Sequence, residues 1–175
     1  MLLTSFTVEF TPADCCRNKG PSLRCLARLD QNVGEALPYL NAVLGGYTYI
    51  KEPPSLTFHY SRGILVTVDA DSITINCTKN PAEAEEILAW LQREINTAWE
   101  NRKDMSPRYT AAPWPKPSDI LRLLPKTDCG QCGLSTCIAF ASMASQGGKV
   151  AKDCPELPPS AQKALTSYLS RFHLA

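Results

Sequence analysis

The 175 residues predict an α+β chain in two parts: an N-terminal antiparallel sheet with packed helices, and a small helical C-terminal module, joined by a proline-rich linker. Three features carry that expectation. Short β-prone runs separated by tight turns occupy 47–78, and such close spacing favours an antiparallel meander. An apolar stripe at three- and four-residue spacing follows Asn80, the period of an amphipathic helix. Four prolines fall within 104–117, which favours a semi-stiff extended connector.

The first segment alternates, with Leu2, Thr4, Phe6, Val8 and Phe10 on one side and Leu3, Ser5, Thr7 and Glu9 on the other, and reads as a half-buried strand. Residues 11–32 read as irregular, polar and cysteine-bearing. A helix fits 33–44, with Pro38 tolerated near its start and Gly45-Gly46 at its end. Strands follow at 47–50, 55–60, 63–69 and 72–78, broken by Pro53-Pro54, Ser61-Arg62-Gly63 and Asp69-Ala70-Asp71. A helix over 81–101 has Asn80 as N-cap, Pro81 at its first position and Glu83 in the capping-box place. Its stripe is Ala84, Ile87, Leu88, Leu91, Ile95, Ala98 and Trp99, an ordinary sheet-packing face. The expected parts are an α+β domain over 1–103 with a partner-docking role, a linker over 104–117 and a module over 118–175. Within the module, helices are expected near 118–124, 135–146 and 159–172, with a break at Gly147-Gly148.

Apolar residues make up 44% of the chain and charged residues 20%, enough apolar material for a core. The net charge is +1 without the clustered basic face that nucleic-acid binding requires. No run reaches the roughly 18–20 apolar residues of a membrane span. The start, MLLTSFTVEFTPADCC, lacks a basic region followed by an uninterrupted apolar one, so no signal peptide is expected. The expected location is cytoplasmic, where thiols stay reduced. There, the eight cysteines at 15, 16, 25, 77, 129, 132, 137 and 154 read more readily as metal ligands than as disulfides.

Cys129, Cys132 and Cys137 form C-x2-C-x4-C, and Cys154 follows directly before Pro155. A four-iron cubane needs four thiolates in a tetrahedral arrangement. Three ligands on one short stretch make most of that cage at small loop-closure cost, and a distant fourth closes it. Gly130 and Gly133 permit positive φ and relieve Cβ crowding, so N–H groups can turn toward sulfur. A helix beginning near Ser135 or Thr136 would put Cys137 at a positive helix end, which favours an anionic sulfur. The pattern therefore predicts one [4Fe–4S] cluster on these four residues. A structural zinc site is the competing reading, although zinc favours two paired motifs. A disulfide or redox thiol is the third.

The other cysteines are less specific. Cys15, Cys16 and Cys25 read as members of one irregular loop that could hold a second metal, act as redox thiols or touch a partner, and Cys77 reads as a small buried hydrophobe in a strand. His59 and His173 read as surface residues. Trp114 reads equally as a docking anchor or as a ring folded onto the module. Arg122, Lys126, Lys149 and Lys152 read as a solvated face, or as charges that offset the cluster and steer a partner.

The string LLPKTDCGQCGLSTCIAFA…KDCPEL resembles the small four-cysteine [4Fe–4S] domain in the large subunit of the corrinoid iron–sulfur protein. It is similar, less closely, to the cluster domain of the B subunit of ion-pumping ferredoxin oxidoreductase complexes. The likeness spans about 121–157: the Leu-Pro-Lys-Thr lead-in, the CGxCG loop, the Ala-Phe-Ala after the third cysteine and the late Cys-Pro. It implies that Cys129, Cys132, Cys137 and Cys154 are the ligands. It also implies oxygen sensitivity, anaerobic metabolism, and electron delivery to a corrinoid or another low-potential metalloenzyme. No nucleotide-binding glycine motif or Walker loop is present, so a carrier or accessory redox subunit is expected rather than an enzyme. A metal-stapled adaptor and a redox sensor are the alternatives.

Overall fold

The computed structural model describes residues 1–13, 22–60 and 64–172. The chain divides into two compact units, Met1–Phe58 with Ile64–Ala112, and Pro113–Ala175 with His59–Gly63. As expected, the class is α+β.

The first unit holds a six-stranded sheet: β1 Phe6–Pro12, β2 Leu23–Leu29, β3 Thr48–Ile50, β4 Ser55–Tyr60, β5 Ile64–Asp69 and β6 Ser72–Thr78. The strand order is β1-β2-β6-β5-β4-β3. Strands β3 to β6 follow the expected meander. Strand β2 is a correction, because it crosses the stretch read as irregular and stands between β1 and β6, antiparallel to both. The missed signal is the alternation Leu23, Cys25, Ala27, Leu29, interrupted by Arg24 and Arg28. Cys25 and Ala27 are fully buried. The predicted loop containing Cys15 and Cys16 lies outside the described residues, and Cys25 belongs to the sheet core.

The β2–β6 register shifts between Leu23 and Cys25, which face Thr78 and Ile75. Arg24 thus stands opposite two residues, and one of them, Cys77, has φ 66°. This is a β-bulge with its extra residue left-handed. Cys77 is half-buried and disulfide-bonded, not the reduced core residue expected from the strand pattern.

Strand β1 starts four residues later than the alternation suggests. Ahead of it, amide side chains take over the backbone bonding. Asn96 Oδ1 accepts the N–H groups of Leu2 and Leu3 at 2.7 and 2.9 Å, and Asn96 Nδ2 donates to the Leu3 carbonyl at 2.9 Å. Leu3 is buried there.

Helix α1 covers Leu37–Leu44 and follows a short 3-10 turn at Gly34–Ala36. Gly45 closes it in the left-handed region at φ 67°, donating to the Asn41 carbonyl. Helix α2 covers Pro81–Glu100. Asn80 caps it as expected, its Oδ1 accepting from the Glu83 N–H at 2.9 Å, but Glu83 Oε2 accepts from the N–H of Lys79, one residue before the cap, at 2.7 Å, instead of from the Asn80 N–H of a full capping box. Ile87, Leu88, Leu91 and Ile95 bury their side chains together with Val66, Val68, Ile73 and Ile75 of the sheet. Each such burial contributes roughly 1.5–3 kcal/mol. Trp99 is half-buried, and Arg102 lies over its ring, 4.1 Å from the centroid.

Part of the proline-rich run is strapped to α1. The Arg108 N–H donates to the Pro38 carbonyl, and the Ala112 N–H to the Gly46 carbonyl. Buried Asn41 donates from Nδ2 to the carbonyls of Arg108 and Thr110 at 2.8 and 3.0 Å. Trp114 stacks on His59 with ring centroids 5.1 Å apart, within the second grouping of residues. His59 is half-buried, and burial lowers its pKa.

The second unit holds α3 Pro117–Leu123, α4 Cys137–Ser145 and α5 Pro159–Leu169, near the three expected helices. Ile120, Phe140, Ala141, Ala144 and Leu165 form its core. The small alanines let α4 approach α3 closely. Tyr168 on α5 accepts the Lys116 N–H at 3.1 Å and donates to Asp119 at 3.3 Å, which fixes α5 to the start of α3.

Candidate metal centre

The segment between α3 and α4 carries three of the cysteines, and its backbone is unusual. Lys126, Asp128, Gly130 and Gly133 all have positive φ, at 60°, 48°, 74° and 81°. Left-handed residues reverse the chain repeatedly, so Cys129 and Cys132 come back toward α4. The Gly133 N–H donates to the Gly130 carbonyl at 2.9 Å, closing a turn in the loop that carries Cys129 and Cys132. That N–H was expected to face sulfur. Cys132 Sγ instead donates to the Leu134 carbonyl at 3.9 Å, and the Glu156 N–H faces Cys154.

Three side chains anchor the loop. Asp128 Oδ1 accepts the Cys137 N–H at 2.6 Å, joining the lead-in to the first turn of α4. Thr136 is the helix N-cap, its Oγ1 accepting from the Ala139 N–H at 3.2 Å. Lys149, from the turn after α4, donates through Nζ to the Cys132 carbonyl at 3.0 Å. Of the other expected flanking cations, Arg122 pairs with Asp119 at 3.5 Å on the surface, while Lys126 and Lys152 are exposed.

The four cysteines line one recess, together with Leu124, Pro125, Leu134 and Phe140. Cys137 and Cys154 are 8% and 5% exposed and belong to the unit's core, Cys132 packs against that core, and Cys129 is exposed. All four thiols are free. The Cys154 pKa is raised, first by burial and then by the neighbouring sulfurs of Cys132, Cys137 and Cys129, with the Glu156 N–H opposing. Gathering four thiolates in an apolar recess is costly unless a cationic core compensates them, and thiolates are the ligands that iron–sulfur clusters take.

The donor set thus fits an iron–sulfur group. The recess is small, about 10 Å³. Among the described residues, no three His, Cys, Asp or Glu side chains are grouped to chelate a single ion.

Residues 124–156 match the family model described as "Putative Fe-S cluster". The match covers the recess and its four cysteines. The chain is also similar to the acetyl-CoA decarbonylase/synthase complex subunit gamma of Methanothermobacter thermautotrophicus, at 38% identity over 52 residues. That stretch is 30% of this chain and 11% of the relative. The corrinoid/iron–sulfur protein large subunit of Moorella thermoacetica is 40% identical over 47 residues, 27% of this chain and 10% of the relative. The gamma subunit of Methanosarcina acetivorans is 48% identical over 42 residues, 23% and 9%. The chain spans about a tenth of the length of these curated relatives. No solved structure matches it. The expected likeness to the corrinoid iron–sulfur protein is therefore found. Within the second unit, residues 124–156 are of the iron–sulfur type.

Asp128 is the site residue that motif reading did not assign, whereas Lys149 was read as a flanking cation and only its bond to the Cys132 carbonyl was not foreseen. An aspartate directly before the first cysteine was a visible cue. The Lys149 contact, seventeen residues from Cys132, left no local trace. No helix among the described residues is long and apolar enough to cross a membrane.

Proposed function

We propose that Cys129, Cys132, Cys137 and Cys154 hold one [4Fe–4S] cluster and that the protein passes single electrons to a partner protein. The observation carrying this reading is the recess lined by all four thiols within the iron–sulfur match. When bound, such a cluster accepts and releases one electron. The chain's residues do the rest. The four thiolates bind it, Phe140 and Leu134 keep water from the inner side, and exposed Cys129 provides a short way out to a docked acceptor. Lys149 places positive charge at the Cys132 carbonyl, favouring the more negative reduced state.

Two of the relatives' names support a setting in corrinoid and acetyl-CoA chemistry. The proposed acceptor is accordingly a corrinoid protein or another low-potential metalloenzyme, and the proposed role is an accessory redox subunit.

The test is anaerobic. Protein reduced with dithionite, then freed of it, is mixed with a Co(II) corrinoid or a viologen, and visible absorption is followed. Reversible bleaching and electron transfer first-order in each component are expected. Cys129→Ser and Cys154→Ser should each lose the visible band, while Cys25→Ser keeps it. A chromophore inert to dithionite would remove the carrier reading and leave a metal-stapled adaptor.

A further inference from the structure

The first unit contains a cavity of about 520 Å³ on the α1 side, within the range of small-ligand sites. Its walls come from four separate stretches of that unit: the turn before α1, the end of β3, the end of α2 and the strapped segment 104–112. Four aromatic rings face it, from Tyr39, Tyr49, Trp99 and Tyr109, together with the cations Lys51 and Arg102.

These groups are held before any ligand arrives. Tyr49 and Tyr109 meet edge to face with centroids 6.2 Å apart. Lys51 stands over the Tyr109 ring at 5.8 Å, and Arg102 over the Trp99 ring at 4.1 Å while donating to the Trp99 carbonyl at 2.6 Å. Tyr109 sits between Arg108 and Thr110, the two residues whose carbonyls fully buried Asn41 holds. A buried amide thus fixes the wall that presents the ring, although the ring itself is 52% exposed. Exposing a large ring has a cost that packing against a ligand would recover.

The charges favour an anion. Lys51 and Arg102 make none of the ion pairs seen among the described residues. One carboxylate, Glu35, lies on the rim, leaving the lining net positive. Flat rings favour a stacked heterocycle, and a guanidinium beside an ammonium favours phosphate. The volume exceeds the needs of a bare phosphate. We propose that this cavity binds a nucleoside phosphate, or a like-built cofactor in which a flat heterocycle carries a phosphate. The site is independent of the cluster reading.

The test is calorimetric titration of the full chain with AMP, ATP and FMN as probes, with adenosine and inorganic phosphate as controls. Saturable binding of at least one phosphorylated probe is expected, with its unphosphorylated counterpart and free phosphate about tenfold weaker or worse. Tyr109→Ala and Lys51→Gln should each weaken that probe by about tenfold, with unchanged circular dichroism showing that both variants fold. The Cys129→Ser/Cys154→Ser double variant should bind it as the wild type does, so failure of the cluster reading would leave this result intact. No saturable binding of any probe at millimolar concentration overturns the proposal. So does binding that neither Tyr109→Ala nor Lys51→Gln alters.

Discussion

Asp128 is the residue on which the loop geometry hinges, because its carboxylate satisfies an orphan N–H at the start of α4 while its own backbone is left-handed. Replacing it with alanine removes a hydrogen bond to a charged acceptor, a loss of about 1.5–3 kcal/mol. Asp128→Ala should lower the thermal midpoint of the second unit and speed loss of visible absorption under chelator. Asp128→Asn should recover part of both. Lys149 acts by charge. Lys149→Met should move the reduction potential to more negative values in a spectroelectrochemical titration, and Lys149→Arg should move it less. Cys25 makes the opposite kind of prediction. Burial first, and Glu85 second, push its thiol up to about 11 from 9.0. The folded state then holds the proton more tightly than the unfolded chain, so stability is lost as pH rises from 9 toward 11. The alkaline loss should be on the order of 1 kcal/mol and should disappear in Cys25→Ala, as read by urea unfolding. The candidate ligand cysteines stood out in the sequence because identity and spacing together carry the proposed chemistry. The bond that Lys149 makes was not legible there, because its acceptor is a backbone carbonyl far along the chain, and any residue can supply a carbonyl.

Among the elements, α2 was the most legible. Asn80, Pro81 and Glu83 mark its start, and a single apolar stripe marks its buried face. Asn80→Ala should cost about 1 kcal/mol, measured by denaturant unfolding. Strand β2 was the least legible. Its alternation is short, and the cysteines near it drew the reading toward a metal loop. The proline-rich run shows a related limit. Four prolines report stiffness, but they do not report that Asn41 on α1 holds the segment by two carbonyls. Asn41 also accepts the Gly46 N–H at 2.9 Å, so one buried side chain serves two segments. Asn41→Ala leaves several buried polar groups unsatisfied and should destabilise the first unit by about 2–4 kcal/mol.

At the scale of the molecule, the chain combines two units of different origins of stability. The first has a continuous core of sheet and helix side chains. The second is small, and two of its core members, Cys137 and Cys154, are proposed ligands. A domain of this size is marginal on its own core, so cluster loss should loosen it while leaving the first unit folded. Calorimetry should then show two transitions, with only one shifted by iron removal. The aromatic cavity of the first unit illustrates what sequence alone conceals, since Lys51, Trp99 and Tyr109 come together only once the fold has formed.

Metal and sulfide analysis of anaerobically purified protein tests the central claim most directly. About four iron and four sulfide per chain, with a broad band near 400 nm that disappears in Cys154→Ser, is the predicted result. About one zinc without sulfide would contradict it and leave a zinc-stapled module in place of a redox centre.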